Sequence, residues 1–312
     1  MAAGGSARVV LIAFAGNALI AVSKMVASAI TGSSAMFAEG IHSVVDSGNQ
    51  LLLLYGMKRS TRPPDERHPF GYGKEVYFWS FVVAILLFSI GAGVSMVHGV
   101  EKILHPHPVE SPMINFIVIG LALVFEGYAL HAAVKEMNAR RREESVLAWI
   151  RRSKDAPLVV VLLEDAGALL GLAIAGLALL GVLVFDAPVL DGVASVLIGV
   201  LLACAAIVLA IETKGLLIGE AADPAVQRGI ESILRADRRI LEVNEILTMH
   251  MGPEDVFCAL SVDFRDDESS VDVEASISDL EWTIKGRFPQ VKRLFIEAQS
   301  VMGHLRAQGA KA

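Results

Sequence analysis

Three ionisable side chains, Glu39, His42 and Asp46, interrupt one long apolar run, and two more, Glu164 and Asp165, interrupt another. In hydrocarbon each costs about 2.5–3.5 kcal/mol at a helix centre, so several together imply a use. On a helix, positions 39, 42 and 46 fall within about 60° of one another and form a stripe on one face. Glu164 and Asp165 are adjacent and so about 100° apart, and only one of them can face a shared cavity squarely. An imidazole with two or more carboxylates supplies the N and O ligands that zinc takes in tetrahedral geometry at about 2.0–2.2 Å. Manganese, ferrous iron or cobalt would accept the same donors. The bland alternative is a hydrogen-bonded cluster that fixes helix packing; a stripe opposite a second acidic pair favours the metal.

The elements that must hold these groups are membrane helices. Of the 312 residues 54% are hydrophobic, and the mean hydropathy is +0.55, too apolar for a soluble domain of this size. Six runs reach the length of about 20 residues that crosses about 30 Å of hydrocarbon, at 7–30, 35–57, 77–100, 113–134, 157–184 and 188–211. Lys58, Arg59, Arg62, Arg67 and Lys74 sit between runs two and three. Lys135, Arg140, Arg141, Arg142, Arg151, Arg152 and Lys154 sit between runs four and five. The opposite loops are nearly free of positive charge, so the basic loops and both termini are expected to be cytoplasmic. The expected setting is the lipid of a bacterial inner (cell) membrane, with no cleaved signal peptide. A net charge of -7 argues against a nucleic-acid partner without excluding a cationic substrate.

Other intramembrane polar groups are weaker candidates. Asn17 and Lys24 share a face of the first run and are read as structural. Glu126 is a candidate for supporting a ligand or carrying a proton; His131 is read as incidental, and His105 and His107 as part of a turn. Cys204 and Cys258 suggest neither a disulfide framework nor a thiolate cluster. Beyond Glu212 the apolar excess stops. Asp223 and Pro224 open a helix to Ala236, and a strand near 241–250 turns at Gly252-Pro253 into one in which Val256, Cys258, Leu260 and Val262 alternate. Val273, Ile277, Leu280 and Ile284 have helical spacing, and 293–298 reads as a last strand. This order predicts a small α+β sandwich suited to association, frayed beyond Gln299.

The chain resembles the cation diffusion facilitator family of divalent metal transporters along nearly its whole length. The resemblance rests on Gly16-Asn17 and Lys24, Gly32-Ser33-Ser34-Ala35, His42-xxx-Asp46 with Ser47, the run His68-Pro69-Phe70-Gly71-Tyr72-Gly73-Lys74-Glu75, and Leu216, Ile218, Gly219, Glu220 and Ala221. Glu39-Gly40-Ile41-His42 and Leu163-Glu164-Asp165 look most like the branch that includes the mitochondrial zinc transporter nine. The resemblance implies a homodimer whose protomers carry an all-α six-helix transmembrane domain (1–215), a cytosolic α+β ferredoxin-like dimerisation domain (216–300) and a tail (301–312). It implies efflux of a divalent cation, zinc first, against protons as counter-ion, by alternating access, with no enzyme activity and no cofactor besides the transported ion. The alternatives are a membrane-embedded zinc metalloenzyme, with Glu164 or Glu126 as base, and a metal-stabilised scaffold.

It further implies a site between spans two and five, with ligands four apart on each. His42 and Asp46 make the first pair; Asp165 matches the second, but Val161 stands four before it. The fourth place then falls to Glu164 first, Glu39 or water. Asp65 and His68 match the first two positions of a loop metal site, with Tyr72 where a third His is expected. The His positions of a metal cluster in the cytosolic domain read as Asn244 and Leu260. Lys74 with Glu212 is a candidate charge interlock at the cytoplasmic face.

Overall fold

The computed structural model describes residues 2–31, 34–106, 112–141 and 143–309, and within these all side chains except those of 2–3, 27–28, 30–31 and 34–42. The calls on the side chains of Glu39 and His42, and on His107, therefore lie outside the described residues. The chain divides into two units, Met1–Pro63 with Glu75–Lys214, and Pro64–Lys74 with Gly215–Ala312.

In the first unit the apolar runs become α1 (Ala2–Thr31), α2 (Ser34–Ser60), α3 (Glu75–Leu86) continued through a π-helical turn (Leu87–Ala92) into α4 (Gly93–Leu104), α5 (Pro112–Arg140), α7 (Ala156–Phe185) and α8 (Val189–Ile218). A short α6 (Val146–Arg152) lies between α5 and α7. Five of the long stretches are apolar and long enough to cross a membrane among the described residues. The remaining one, α2, is 27 residues long, enough to cross, and carries the acidic and amide groups. It packs between α1 and α3.

The polarity of this unit is that of a protein in lipid. Leu11, Val22, Ile85, Val124, Leu177 and Val184 are exposed, whereas Asn17, Lys24, Ser43, Asn49, Gln50, Glu164 and Asp165 are buried. In water such an exposed apolar surface would aggregate; in hydrocarbon the inward polar groups are the ones that need partners. Between them Val10, Ala13, Leu53, Val83, Ala133, Val160 and Leu209 form the packed interior. α4 and α8 approach closely through glycines: a Cβ on Gly99 would stand 2.7 Å from the Val196 backbone nitrogen, and one on Gly192 2.8 Å from that of Ile103.

End-to-end contacts show the helices alternating in direction. Arg59 at the end of α2 pairs with Glu75 at the start of α3 at 2.9 Å, and Lys102 at the end of α4 pairs with Asp191 at the start of α8 at 2.5 Å. Ser6 of α1 and Arg140 at the end of α5 both meet Asp155, which caps α7 through Leu158 N.

The second unit is a two-layer α+β sandwich. Its elements are α9 (Pro224–Ala236), β1 (Ile240–Gly252), β2 (Asp255–Phe264), α10 (Ser270–Arg287), β3 (Val291–Ala298) and α11 (Val301–Gly309). The sheet order is β1-β2-β3, with β1 antiparallel to β2 and β2 parallel to β3. The parallel pair needs a crossover, and α10 supplies it. Val226, Ile230 and Leu234 of α9 and Leu280 and Ile284 of α10 cover the inner face of the sheet, where Val256, Cys258, Leu260 and Val262 are buried as their alternation predicts. From Val301 to Gly309 the chain is helical and not frayed. α11 begins where Val301 N donates to Asp263 Oδ2 at 3.0 Å, and Gly303 N donates to Ser300 Oγ at 3.2 Å. Two flanking side-chain acceptors start a helix that its own weak pattern does not announce.

Candidate metal site and its surroundings

α2 brings Asp46, Asn49 and Gln50 to the packed interior, and α7 brings Glu164 and Asp165. The two carboxylates of α7 are treated differently. Glu164 is clasped by α2: Asn49 Nδ2 donates to its Oε1 at 3.1 Å and Gln50 Nε2 to its Oε2 at 2.9 Å. Asp165 is 1% exposed, and neither of its carboxylate oxygens has a hydrogen-bond partner among the described residues. Buried polar groups are nearly always satisfied, and an ionised one without a partner is the costliest exception. A side chain of this kind fits a cation ligand. Val161, four residues before Asp165, is fully buried in the apolar interior.

Around these groups charge is concentrated. Asp46 is half-buried, and its charge acts on Glu126 and Glu164. The charges of Glu126 and Glu164 act on Asp165, and that of Lys24 acts on Glu126. Lys24 Nζ also donates to Ser43 Oγ at 3.0 Å, tying α1 to α2 beside position 42. Among the described residues no three His, Cys, Asp or Glu side chains converge closely enough to hold a metal; Glu39 and His42 are not among them. The sequence reading passed over Asn49 and Gln50, although they follow Asp46 by three and four residues, the spacing that puts neighbours on one helix face.

At the end of the unit where α1 and α7 begin, Arg140 joins three helices. Its guanidinium donates to Asp155 Oδ2 at 2.6 Å, to Glu136 Oε1 at 2.6 Å and to Ser6 Oγ at 3.0 Å, and the Ser6 hydroxyl donates to Asp155. Charge counting had treated Arg140 only as a topology marker.

The loop candidates lie in the second unit. Asp65 has both oxygens engaged: Oδ1 accepts from the backbone N of Arg67 at 3.0 Å and of His68 at 2.7 Å, and Oδ2 accepts from Tyr72 Oη at 2.5 Å. The Tyr72 hydroxyl bond, ahead of the His68 backbone bond, holds this carboxyl below the usual range. The His68 ring lies 4.3 Å from that of Tyr72. This is the geometry of a self-closed turn. Phe70 reaches the sheet, edge-on to Phe257 at 5.8 Å and with the Arg293 guanidinium 5.3 Å from its ring. Lys74 Nζ donates to Leu217 O at 3.3 Å and Ile218 O at 3.5 Å, whereas Glu212 belongs to the first unit. Within the sandwich, Asn244 donates to Gln299 O at 2.7 Å, Leu260 is core, and His250 is buried against Gly252 O at 3.1 Å.

A family model described as the cation efflux transmembrane domain matches residues 10–218. The chain is 33% identical over 262 residues to the proton-coupled zinc antiporter SLC30A9, mitochondrial, of Homo sapiens, covering 83% of this chain and 46% of that protein. It is 32% identical over 262 residues to the protein of the same name from Xenopus laevis (83% and 47%). It is 32% identical over 237 residues to metal tolerance protein C4 of Arabidopsis thaliana (75% and 52%). The chain thus spans about half the length of the curated relatives it matches. The matched stretch runs from α1 to the end of α8 and takes in both acidic helices, and the chain belongs to the cation efflux, or cation diffusion facilitator, family.

Proposed function

We propose that this protein moves a divalent cation, zinc first, across its membrane in exchange for protons, and that it is a transporter and not an enzyme. The observation that carries the proposal is Asp165, a buried carboxylate with no partner among the described residues, next to Glu164, which Asn49 and Gln50 of α2 hold. Relatives named as proton-coupled zinc antiporters support the choice of ion and counter-ion.

His42, Asp46 and Asp165 hold the ion. Glu164 stays in its clasp with Asn49 and Gln50, so water takes the fourth place, with Glu39 as the side chain nearest in sequence to replace it. Binding needs a neutral imidazole and ionised carboxylates, so loading releases protons. When the site opens to the other side, protons compete for the same lone pairs and expel the metal. Glu126, acted on by Asp46 and Lys24, is the candidate for passing protons to the site. The loop pair Asp65 and His68 serves to shape the turn, and the sandwich serves to pair two protomers in a homodimer.

The basic loops and both termini face the cytosol or the compartment that corresponds to it. Relatives carrying "mitochondrial" in their names do not favour the bacterial inner membrane expected from sequence. The test is zinc uptake into proteoliposomes, with manganese, iron and cobalt as competitors. Asp46→Ala and Asp165→Ala should each abolish uptake in a folded protein, and undiminished transport by both would remove the site.

A further inference from the structure

Asn49, Gln50 and Glu164 are 2%, 0% and 6% exposed, and the two amide nitrogens of α2 occupy both oxygens of the α7 carboxylate, at 3.1 and 2.9 Å. The amide oxygens, Asn49 Oδ1 and Gln50 Oε1, have no hydrogen-bond partner among the described residues. A buried polar cluster that leaves carbonyls bare is a poor way to add stability, because apolar side chains of the same size would pack there without that cost. Where a polar contact is kept at such a cost inside an apolar helix seam, its best-attested use is to fix how the helices register.

α7 needs such a device. Val159, Val160, Val161 and Leu162 are all buried, and consecutive positions cover every side of a helix. Apolar surface of this uniform kind specifies rotation weakly. Rotation nevertheless decides the chemistry, because Glu164 and Asp165 leave the helix about 100° apart. Turned by one residue, α7 would exchange the two acids. On α2 the clasp stands three and four residues from Asp46, one turn along the same face; on α7 it is made by the neighbour of Asp165. It ties together the two backbones that carry the proposed carboxylate ligands. Asp46 and Glu126 both act electrostatically on Glu164, and Glu126 and Glu164 on Asp165, so these acids share one neighbourhood.

We propose that Asn49 and Gln50 are positioning residues for the metal site: by clasping Glu164 they hold α7 in the one rotation and height at which Asp165, and not Glu164, is left for the ion bound by Asp46. The inference rests on the reading of Asp165 as a ligand. Glu164 touches no ion; its oxygens are spent on α2, and it acts through the backbone it fixes. Donors from two consecutive residues to both oxygens of one carboxylate define a direction as well as a distance, which a single hydrogen bond would not.

The test is zinc binding to the purified protein in detergent, read as a dissociation constant by competition with a fluorescent zinc indicator on the folded, monodisperse fraction. Asn49→Leu with Gln50→Met removes the clasp and should weaken zinc at least tenfold. Gln50→Glu sets two carboxylates against each other and should also weaken zinc at least tenfold. Adding Glu164→Gln to Gln50→Glu moves the acid from α7 to α2 at unchanged total charge. The new amide at position 164 can then donate to the new carboxylate at position 50 and still accept from Asn49 Nδ2, so zinc affinity should return to within about threefold of the parent. A clasp that only supports folding would lower stability and leave the affinity of folded molecules unchanged, and a Glu164 that binds the ion itself could not be rescued from α2. Unchanged affinity after the Leu and Met replacements, unchanged or tighter binding in Gln50→Glu, or no recovery in the exchanged pair each overturns the proposal. Should the Leu and Met replacements fail to fold, the exchanged pair decides alone. Asp165→Asn separates this inference from the reading beneath it. If that variant keeps its zinc, both fall; if it loses zinc while the clasp variants bind as the parent does, only the positioning role falls.

Discussion

Replacing Asp165 by Asn keeps the side chain's shape and removes its charge, which should change stability in opposite directions with and without metal. The carboxylate is 1% exposed and neither oxygen has a partner among the described residues. Keeping an ion in such a place costs several kcal/mol after relaxation, whereas an unpaired neutral amide costs about 1–3 kcal/mol. The metal-free Asp165→Asn variant should therefore be more stable than the parent, by a margin on the order of 1–3 kcal/mol. Zinc reverses the order. At one hundred times its dissociation constant a ligand adds about 2.7 kcal/mol to the state that binds it, which the parent gains and the variant does not. Thermal unfolding followed by tryptophan fluorescence in detergent at about pH 7.5, with chelator and with zinc, reads both effects. A variant less stable than the parent in chelator, or one that zinc protects equally, would refute the assignment of Asp165 as a ligand.

Arg140→Gln should loosen the junction of α1, α5 and α7 by about 1–3 kcal/mol, since Asp155 and Glu136 lose their partner in a half-buried setting; cysteine crosslinking between the starts of α1 and α7 should fall. Phe70→Ala should free the turn after α2 from the sheet, at a cost of about 1–2 kcal/mol for the Phe257 and Arg293 contacts, and trypsin should then cut at Arg67 sooner. Asp237 is held below the usual carboxyl range, chiefly by its hydrogen bond with Arg239. Its stabilisation of the sandwich is present above the unfolded carboxyl pKa of about 3.9 and is lost as pH falls through the lower folded value. Asp237→Asn should flatten that acid limb, and denaturant midpoints measured across it would show whether it does. Burial pushes the Cys258 thiol up to about 12, so maleimide should leave it unlabelled in the folded protein at about pH 8, and rapid labelling there would contradict the packing of β2.

Much of this architecture is legible in sequence because hydrocarbon allows few solutions. A long apolar run must be a helix, and its far end is where composition falls short: α5 runs to Arg140, past the apolar run ending at 134, because a helix continues into water where composition alone loses it. The π-helical turn at Leu87–Ala92 leaves no trace in composition. In the sandwich, the capping box of Ser269 and Asp272 and the alternation of β2 give clear local signals. α11 gives none, because its start depends on Asp263, distant in the chain. For the candidate site, sequence picked out the charged residues but not their partners. It could not say which of two adjacent acids would be clasped, since that depends on the neutral amides of Asn49 and Gln50 across the helix contact. Nor could it see that the Asp65 turn closes on Tyr72.

Exchange of metal for protons through Asp165 is tested most directly by measuring both fluxes together, in proteoliposomes that contain a lumenal pH dye and a zinc dye and carry no gradient other than zinc. Zinc entry should drive proton exit in the same trace, and Asp165→Asn should abolish both. Zinc entry with no proton movement, or full coupled exchange in the variant, would contradict the account.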